Sequence, residues 1–368
     1  MKVPFLDLRA QHAPIRGEID AAIREVLDDT AFVLGPGVSR FEEAFAPYAG
    51  RKHCIGVNSG TSALHLALLA AGVNPGDEVL TTPHTWISTS WAVSYCGARP
   101  IYADVDPRTG NLDPKAAEAA LTARTRALLP VDLYGNPADL EAFEDLSRRK
   151  GIPLVEDAAQ SHGARLRGRP AGAFGALACF SFYPGKNLGA AGEGGAVVTD
   201  DNGMAARIRR LRDHAQESRH RHAEIGFNYR MEGIQGAVLA VKLRHLDGWN
   251  AARRTAAGRY RELLAGIRGV VLPEPTPGAE PVWHLYVVRV QDRDRVLARL
   301  KEAGIGAAVH YPHPVHLQPA YASLGHRSGA FPGAESFAAE CLSLPMFAEI
   351  TAEQQEAVAA ALRDAVRP

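Results

Sequence analysis

The chain has 368 residues, 41 Lys and Arg balanced by 41 Asp and Glu, and 46% hydrophobic residues. That length implies two lobes, or one large domain with an appendage, and there is ample apolar material for a core. The even charge balance, with 34 Arg scattered among only 7 Lys, argues against the basic face or tail of a nucleic-acid binder. No apolar run reaches the roughly 18 residues of a membrane span. Asp7 and Arg9 interrupt the N-terminus before a signal-peptide hydrophobic region could form, so a soluble, cytoplasmic protein is expected. Cys54, Cys96, Cys179 and Cys341 lie far apart without a CxxC pair, which leaves neither a zinc ribbon nor a thioredoxin motif. Three of them sit in apolar surroundings and read as small core residues.

Helical spacing covers residues 10–30 and 38–49, separated by the breaker Gly35-Pro36-Gly37. The chain then alternates. Short apolar runs predict strands at Cys54–Asn58, Glu78–Thr82, Pro100–Val105, Ala127–Leu133, Pro153–Glu156, Ala176–Phe182 and Gly195–Thr199. Helical patterns at 61–71, 86–96, 114–121 and 138–150 separate most of them. Such alternation predicts an α/β fold with a mainly parallel, seven-stranded sheet flanked by helices. The last two strands are joined by a Gly-rich loop too short for a crossover helix, so that edge is expected to be antiparallel. A long helical stretch without proline is expected over 230–265, and the Pro- and Gly-rich stretch 272–281 reads as a loop or domain boundary. Strands at 283–290 and 305–311, with helices at 292–304, 333–341 and 351–366, predict a smaller C-terminal α+β domain. The resulting limits are 1–30 for an N-terminal segment, 31–250 for the large domain and 251–368 for the small one.

In open α/β sheets ligands sit at the carboxyl ends of the strands, and three such ends carry chemistry. The first is Asn58-Ser-Gly-Thr-Ser-Ala63. Gly60 allows close backbone approach, while Thr61 and Ser62 set hydroxyls beside the free N–H groups of a helix start, a ready phosphate site. A plain helix cap fits this stretch equally well. The second is Glu156-Asp-Ala-Ala-Gln-Ser-His-Gly163, where Asp157 could hold a charge against a ligand or simply cap the next turn. The third is Ser181-Phe-Tyr-Pro-Gly-Lys186, continuing through Asn187 to Gly195. Lys186 fails the P-loop spacing, and Gly35-Pro36-Gly37 fails GxGxxG at its third position. The apolar, Gly-rich flanks make a merely solvated lysine the weaker reading. A lysine for a Schiff base, a carboxylate for a pyridinium nitrogen and a helix N-terminus for a phosphate are the parts of a pyridoxal phosphate site. Trp86 would offer a flat face to its ring, or else be a core aromatic.

At these residues the sequence resembles the DegT/DnrJ/StrS family of sugar aminotransferases, a branch of the aspartate aminotransferase fold (fold type I). The resemblance runs from Val3-Pro-Phe-Leu-Asp-Leu8 through Gly35-Pro-Gly37, Asn58–Leu64, Val155–Gln160 and the Lys186 loop to Gly226-Phe-Asn-Tyr-Arg-Met231 and His310-Tyr-Pro312. It implies pyridoxal 5'-phosphate as cofactor, Lys186 as the Schiff-base lysine and Asp157 as partner of the ring nitrogen. Gln160 matches the residue near the phenolic oxygen, and Gly60, Thr61 and Ser181 match phosphate-binding positions. Asn228 matches a residue supplied by the neighbouring subunit, which implies a homodimer with shared sites. The Lys186 loop resembles members that aminate C3 of nucleotide-linked 3-keto sugars, with L-glutamate as donor. Tyr183, Arg230, His310, Tyr311 and His316 are the candidates for substrate contact. Three His at 310, 313 and 316 invite a metal reading, but Pro312 and Pro314 break any helical face and no metal is expected. C4 amination, aromatising dehydration to an aminobenzoate, and a non-catalytic regulatory role stand as alternatives.

Overall fold

In the computed structural model, which describes residues 1–367, seven strands build the central sheet. They are β1 (His53–Val57), β2 (Glu78–Thr81), β3 (Arg99–Tyr102), β4 (Thr125–Leu129), β5 (Val155–Asp157), β6 (Leu177–Ser181) and β7 (Gly195–Thr199). Their spatial order is β1-β7-β6-β5-β4-β2-β3, with single parallel bridges Leu128–Leu154 and Val131–Asp157 joining the β5 and β4 sides. Every neighbouring pair is parallel except those made by β7, which runs antiparallel to both β1 and β6. The antiparallel strand is therefore inside the sheet and not at the edge that the short loop suggests. All five of its residues are buried, as an interior strand covered on both faces requires.

Helices cover both faces. Around the sheet lie α1 (Leu8–His12), α2 (Arg16–Asp28), α3 (Gly35–Tyr48), α4 (Gly60–Ala70), α5 (Ser88–Tyr95), α6 (Pro114–Ala120), α7 (Leu140–Lys150), α8 (Asn202–Arg212) and α9 (Gly233–Leu243). One face packs α4 against Ile55, Val79, Leu129, Val155 and Val197. The other packs Phe41, Phe45, Phe180, Phe182 and Leu239. Phe45 meets Phe180 and Phe182 edge-on at 4.9 and 5.4 Å, and truncating it to Ala would cost about 3–5 kcal/mol. α7 shows how local sequence sets an element's limits. Asp139 caps its first turn, Arg148, Arg149 and Lys150 line its last, and Gly151 closes it in the left-handed conformation.

The pattern over 230–265 divides into α9 and α10 (Leu246–Leu264). No Pro or Gly marks the break; Arg244 and His245 instead both bond to Glu18 on α2. α10 then enters a second core, where Tyr260 packs with Tyr286, Val288, Val296, Leu300, Leu342, Leu344, Val358 and Leu362. This unit contains a three-stranded antiparallel sheet of β8 (Val270–Val271), β9 (Tyr286–Val290) and β10 (Cys341–Leu344). It also holds α11 (Arg293–Glu302), α12 (Pro332–Glu340) and α13 (Ala352–Ala365). α13 starts on a reciprocal Thr351–Gln354 capping box. The strand expected at 305–311 does not form. Ile305 bridges Val3 and Ala308 bridges Ser343, isolated pairs on two different segments that do not extend into a ladder, and Val3 is buried in this second core. All four cysteines are free and buried. Among the described residues no helix is long and apolar enough to cross a membrane.

Candidate active site

The carboxyl ends of β1, β5 and β6 meet at a cavity of about 710 Å³, within the range of small-molecule sites. At the end of β1, the Ser59 hydroxyl accepts the Ser62 N–H (3.1 Å) and caps α4. A Cβ on Gly60 would lie 2.6 Å from the Cβ of Ser181, so only glycine permits the ends of β1 and β6 to touch there. Ser59, Gly60, Thr61 and Ser181 line the cavity. The first N–H groups of α4 have no helical partner, which makes this corner suited to a phosphate.

Asp157 closes β5. Its Oδ2 accepts from the Thr89 hydroxyl at 2.9 Å, its Oδ1 from the Ala159 N–H at 3.2 Å, and Thr89 is in turn bonded to Thr85 at 3.0 Å. Burial raises its pKa, while Thr89, the Ala159 N–H and the Lys186 charge oppose that rise. A buried carboxylate with two neutral donors is suited to a cationic ring N–H. The neighbouring Glu156 points to the opposite face of the strand. It accepts the Gly172 N–H at 2.8 Å, and burial together with nearby Asp132 keeps its carboxyl well above the ordinary range. Only Asp157 lines the cavity.

Lys186 sits in the loop between β6 and β7, where its N–H donates to the Tyr183 carbonyl at 2.8 Å. The loop is tied down on both sides. Asn187 Nδ2 donates to Asn250 Oδ1 and to the Val282 carbonyl, each at 2.9 Å, and Lys242 Nζ donates to the Gly189 carbonyl at 2.6 Å. Burial lowers the Lys186 amine to about 8, with Asp157 pulling the other way. Such an amine is a usable nucleophile and base near neutral pH.

The opposite wall comes from loops. Gln160 accepts the Tyr134 N–H at 2.7 Å and donates to the Tyr311 hydroxyl at 3.2 Å. The Trp86 and Tyr311 rings lie 5.5 Å apart, and His310 Nδ1 is 2.8 Å from the Ser343 hydroxyl. Burial lowers His310 to about 4 and holds His284 well below its ordinary value, so both imidazoles are neutral. The cavity thus gathers Lys186, Asp157, Gly60, Thr61, Ser181, Gln160, Trp86, Tyr183, His310 and Tyr311. Four anticipated residues lie outside its lining. The Ser62 hydroxyl is committed to Asn58 Oδ1 at 2.6 Å. His316 is buried and bonded to Glu335 at 3.1 Å. Arg230 pairs with Asp213 at 2.9 Å and with Asn228 Oδ1 at 2.7 Å. Asn228 itself is exposed.

Sequence reading missed Thr85 and Thr89, whose place just after β2 is the signal that could have found them. It also missed Glu193, which lies within the Lys186 loop, and His284, Leu285 and Met346, which line the cavity from segments not singled out at a strand end. The residues fit a flat, phosphate-bearing cofactor, because the Gly60–Ser181 contact leaves a cradle that any side chain would fill. Among the described residues no cluster of three or more His, Cys, Asp or Glu side chains is arranged to hold a metal ion.

Known proteins resemble this chain in sequence and fold. The family model for DegT/DnrJ/EryC1/StrS aminotransferases matches residues 14–363. The chain is 48% identical over 363 residues to a dTDP-3-amino-3,4,6-trideoxy-alpha-D-glucose transaminase of Streptomyces venezuelae, covering 99% of this chain and 96% of that one. It is 49% identical over 363 residues to the Saccharopolyspora erythraea protein named erythromycin biosynthesis sensory transduction protein EryC1, covering 99% of each. The crystal structure of S. venezuelae DesV in complex with a ketimine intermediate matches with a TM-score of 0.97 at 48% identity, over 100% of this chain and 99% of that one. With one fold and one family shared from end to end, the chain belongs to the DegT/DnrJ/EryC1/StrS aminotransferases and is a fold type I enzyme dependent on pyridoxal phosphate.

Proposed function

We propose that this enzyme moves the amino group of L-glutamate to C3 of a nucleotide-linked keto-deoxy sugar, as a cytoplasmic homodimer with shared sites. The observation that carries the reading is the convergence of Lys186, Asp157 and the Gly60–Thr61 helix start in one cavity. When bound, pyridoxal phosphate supplies an electron sink for the carbon that gains or loses the amine. Lys186 would hold the cofactor through its amine, which, lowered to about 8, is suited to accept and return a proton. Asp157 would hold a proton at the ring nitrogen. Gly60, Thr61 and Ser181 would receive the phosphate, Gln160 would serve the phenolic oxygen, and Trp86 would offer its face to the ring. Tyr183, His310 and Tyr311 are the contacts open to substrate.

The C3 assignment is supported by the Lys186 loop and by the name of the S. venezuelae relative, a 3-amino-sugar transaminase. The name of the S. erythraea relative suggests a sensor, but a binding-only protein has no use for a partly buried lysine with a lowered pKa opposite a buried carboxylate. The homodimer is supported by charge. Lys186 is the only Lys or Arg among the cavity residues, against Asp157 and Glu193, whereas a nucleotide sugar and glutamate are both anionic. Asn228 and Arg230, outside the chain's own cavity, would complete the site of a second copy.

A panel of nucleotide-linked 3-keto and 4-keto sugars, incubated with holoenzyme and L-glutamate, tests the reaction. A 3-amino product with equimolar 2-oxoglutarate is expected; a 4-amino or aromatic product, or no transfer to any acceptor, would overturn the assignment. Mixing Lys186→Ala subunits with Asn228→Ala subunits tests the shared site. Each exchanged dimer pairs one doubly damaged site with one intact site, so activity should partly return. No recovery after demonstrated exchange would put Asn228 outside the partner's site.

A further inference from the structure

The motif Val3-Pro-Phe-Leu-Asp-Leu8 has no role in the chemistry above, yet the structure lays it along the cavity. Val3 is pinned to the second core from both sides: its N–H donates to the Gly304 carbonyl at 3.0 Å, and its carbonyl accepts the Gly306 N–H at 2.8 Å. A Cβ on Gly306 would come within 2.5 Å of Phe5 N, so the strap lies too close for any other residue there. The Phe5 carbonyl accepts the Met346 N–H at 3.4 Å, and the Phe5 ring stacks on His310 at 5.6 Å between centroids. Asp7 then caps α1 by accepting the Arg9 and Ala10 N–H groups at 3.0 and 3.1 Å, which fixes the far end of the strap.

Between those anchors Phe5 and Leu6 are only partly buried and line the cavity together with Leu285 and Met346. A Cβ on Gly185 would lie 3.5 Å from Leu6 Cδ2, so Leu6 packs against the residue that precedes Lys186. Three separate segments thus bring the apolar side chains of Phe5, Leu6, Leu285 and Met346 to a cavity whose strand-end residues are polar. A sugar carbon bearing a hydroxyl would lose water there without gaining a partner, whereas a deoxy carbon or a methyl group would bury apolar surface.

We propose that Leu6, presented by this N-terminal strap, is a specificity-determining residue that selects acceptor sugars with a deoxygenated carbon on that side. The proposal rests on the nucleotide-sugar reading given above. An apolar wall discriminates against an added hydroxyl by up to about a hundredfold, so the effect is measurable but bounded.

The test compares kcat/KM for two nucleotide-linked 3-keto sugars, one 4,6-dideoxy and one 6-deoxy with a hydroxyl at C4, using holoenzyme and the variants Leu6→Asn, Leu6→Ala and Leu6→Met. The rate of the half-reaction with L-glutamate alone, read from the cofactor's visible absorbance, is the reference that does not involve the sugar. The wild type should favour the dideoxy acceptor. Leu6→Asn should lower that preference about tenfold, by more than it changes the donor half-reaction, and Leu6→Met should keep it. An unchanged preference in both Leu6→Asn and Leu6→Ala would overturn the proposal while leaving the enzyme's function standing. Equal loss of both half-reactions in those variants would make the strap a packing element and would also overturn it. Transfer to neither sugar by a wild type that still reacts with glutamate would remove the acceptor assignment itself, and the proposal with it.

Discussion

The two walls of the cavity are built by different means. On one side, Gly60, Asp157 and Ser181 sit at or just beyond the ends of β1, β5 and β6, so their positions are fixed by ladder hydrogen bonds and a buried core. On the other, Phe5, Leu6, His284, His310, Tyr311 and Met346 come from segments held mainly by isolated bonds. The sheet wall carries groups whose chemistry depends on placement to a fraction of an ångström; the loop wall carries surfaces whose chemistry depends on shape and polarity. If that division is real, substitutions on the sheet wall should change rate constants by orders of magnitude, and those on the loop wall by several-fold.

The largest effect belongs to Lys186. Lys186→Ala should abolish the visible absorbance of the lysine-bound cofactor and reduce turnover by at least about 10⁴-fold, since covalent attachment and proton transfer both vanish. The melting temperature should barely move, because removing a partly buried amine relieves a desolvation cost. Turnover within tenfold of wild type would end the assignment. Asp157→Ala follows, with a loss of about 10²–10⁴-fold in kcat while the absorbance of attached cofactor persists, because in the proposed arrangement the carboxylate serves the ring nitrogen and not the bond to lysine. Near-normal kcat would make Asp157 structural and break the comparison at its strongest point.

Gly60→Ala acts by volume. The added Cβ would stand 2.6 Å from Ser181 Cβ, so the two strand ends must part or the phosphate cradle must fill. Affinity for pyridoxal phosphate, measured by titrating apoenzyme, should fall at least about tenfold, whereas Gly248→Ala on α10, with open space around its Cβ, should leave it unchanged. Equal affinities would mean that the phosphate is held elsewhere.

The sheet wall was also the legible wall. Alternating strand and helix patterns give the seven strands, and the rule that ligands collect at strand ends leads to Gly60, Thr61, Asp157 and Lys186. The errors have physical causes. At the break between α9 and α10, Arg244 and His245 bond to Glu18, more than 200 residues away in sequence, which no local pattern around Arg244 can reveal. The segment 305–311 makes only isolated bridges, to Val3 and Ser343, both distant in sequence, and the interior position of β7 follows from pairing with β1 at the other end of the domain. Leu285 and Met346 gave no signal because a cavity-facing apolar residue on a loop looks like any core residue. His316, a candidate for substrate contact, instead packs against Phe331 and bonds to Glu335, which buries it away from the cavity.

Proton uptake by Lys186 provides a finer test. Its amine is lowered from the ordinary 10.5 to about 8. Between those values the unfolded chain binds more protons than the folded one, so this group penalises folding below pH 8 and the penalty is relieved as pH rises through the window. The same shift governs cofactor capture, since only the neutral amine attacks the aldehyde. The rate of reattachment to apoenzyme should rise about tenfold per pH unit below 8 and level off above it. A rate still climbing at pH 9.5 would mean that the lysine is not desolvated in the apoenzyme.

The smallest expected change is at Tyr311, and it bears most directly on the division between walls. Its hydroxyl accepts from Gln160 Nε2 at 3.2 Å, while Gln160 is independently held by the Tyr134 N–H at 2.7 Å. Tyr311→Phe removes one long neutral hydrogen bond, about 0.5–1.5 kcal/mol, and leaves Gln160 anchored. The ring that faces Trp86 is kept. A loss of about two- to tenfold in kcat/KM is therefore expected. Gln160→Leu should cost more, because it leaves the buried Tyr134 N–H unpaired at about 1–3 kcal/mol. If Tyr311→Phe instead cost as much as Asp157→Ala, the phenol would have to touch the reacting atoms, and the loop wall would share the chemistry assigned to the strand ends.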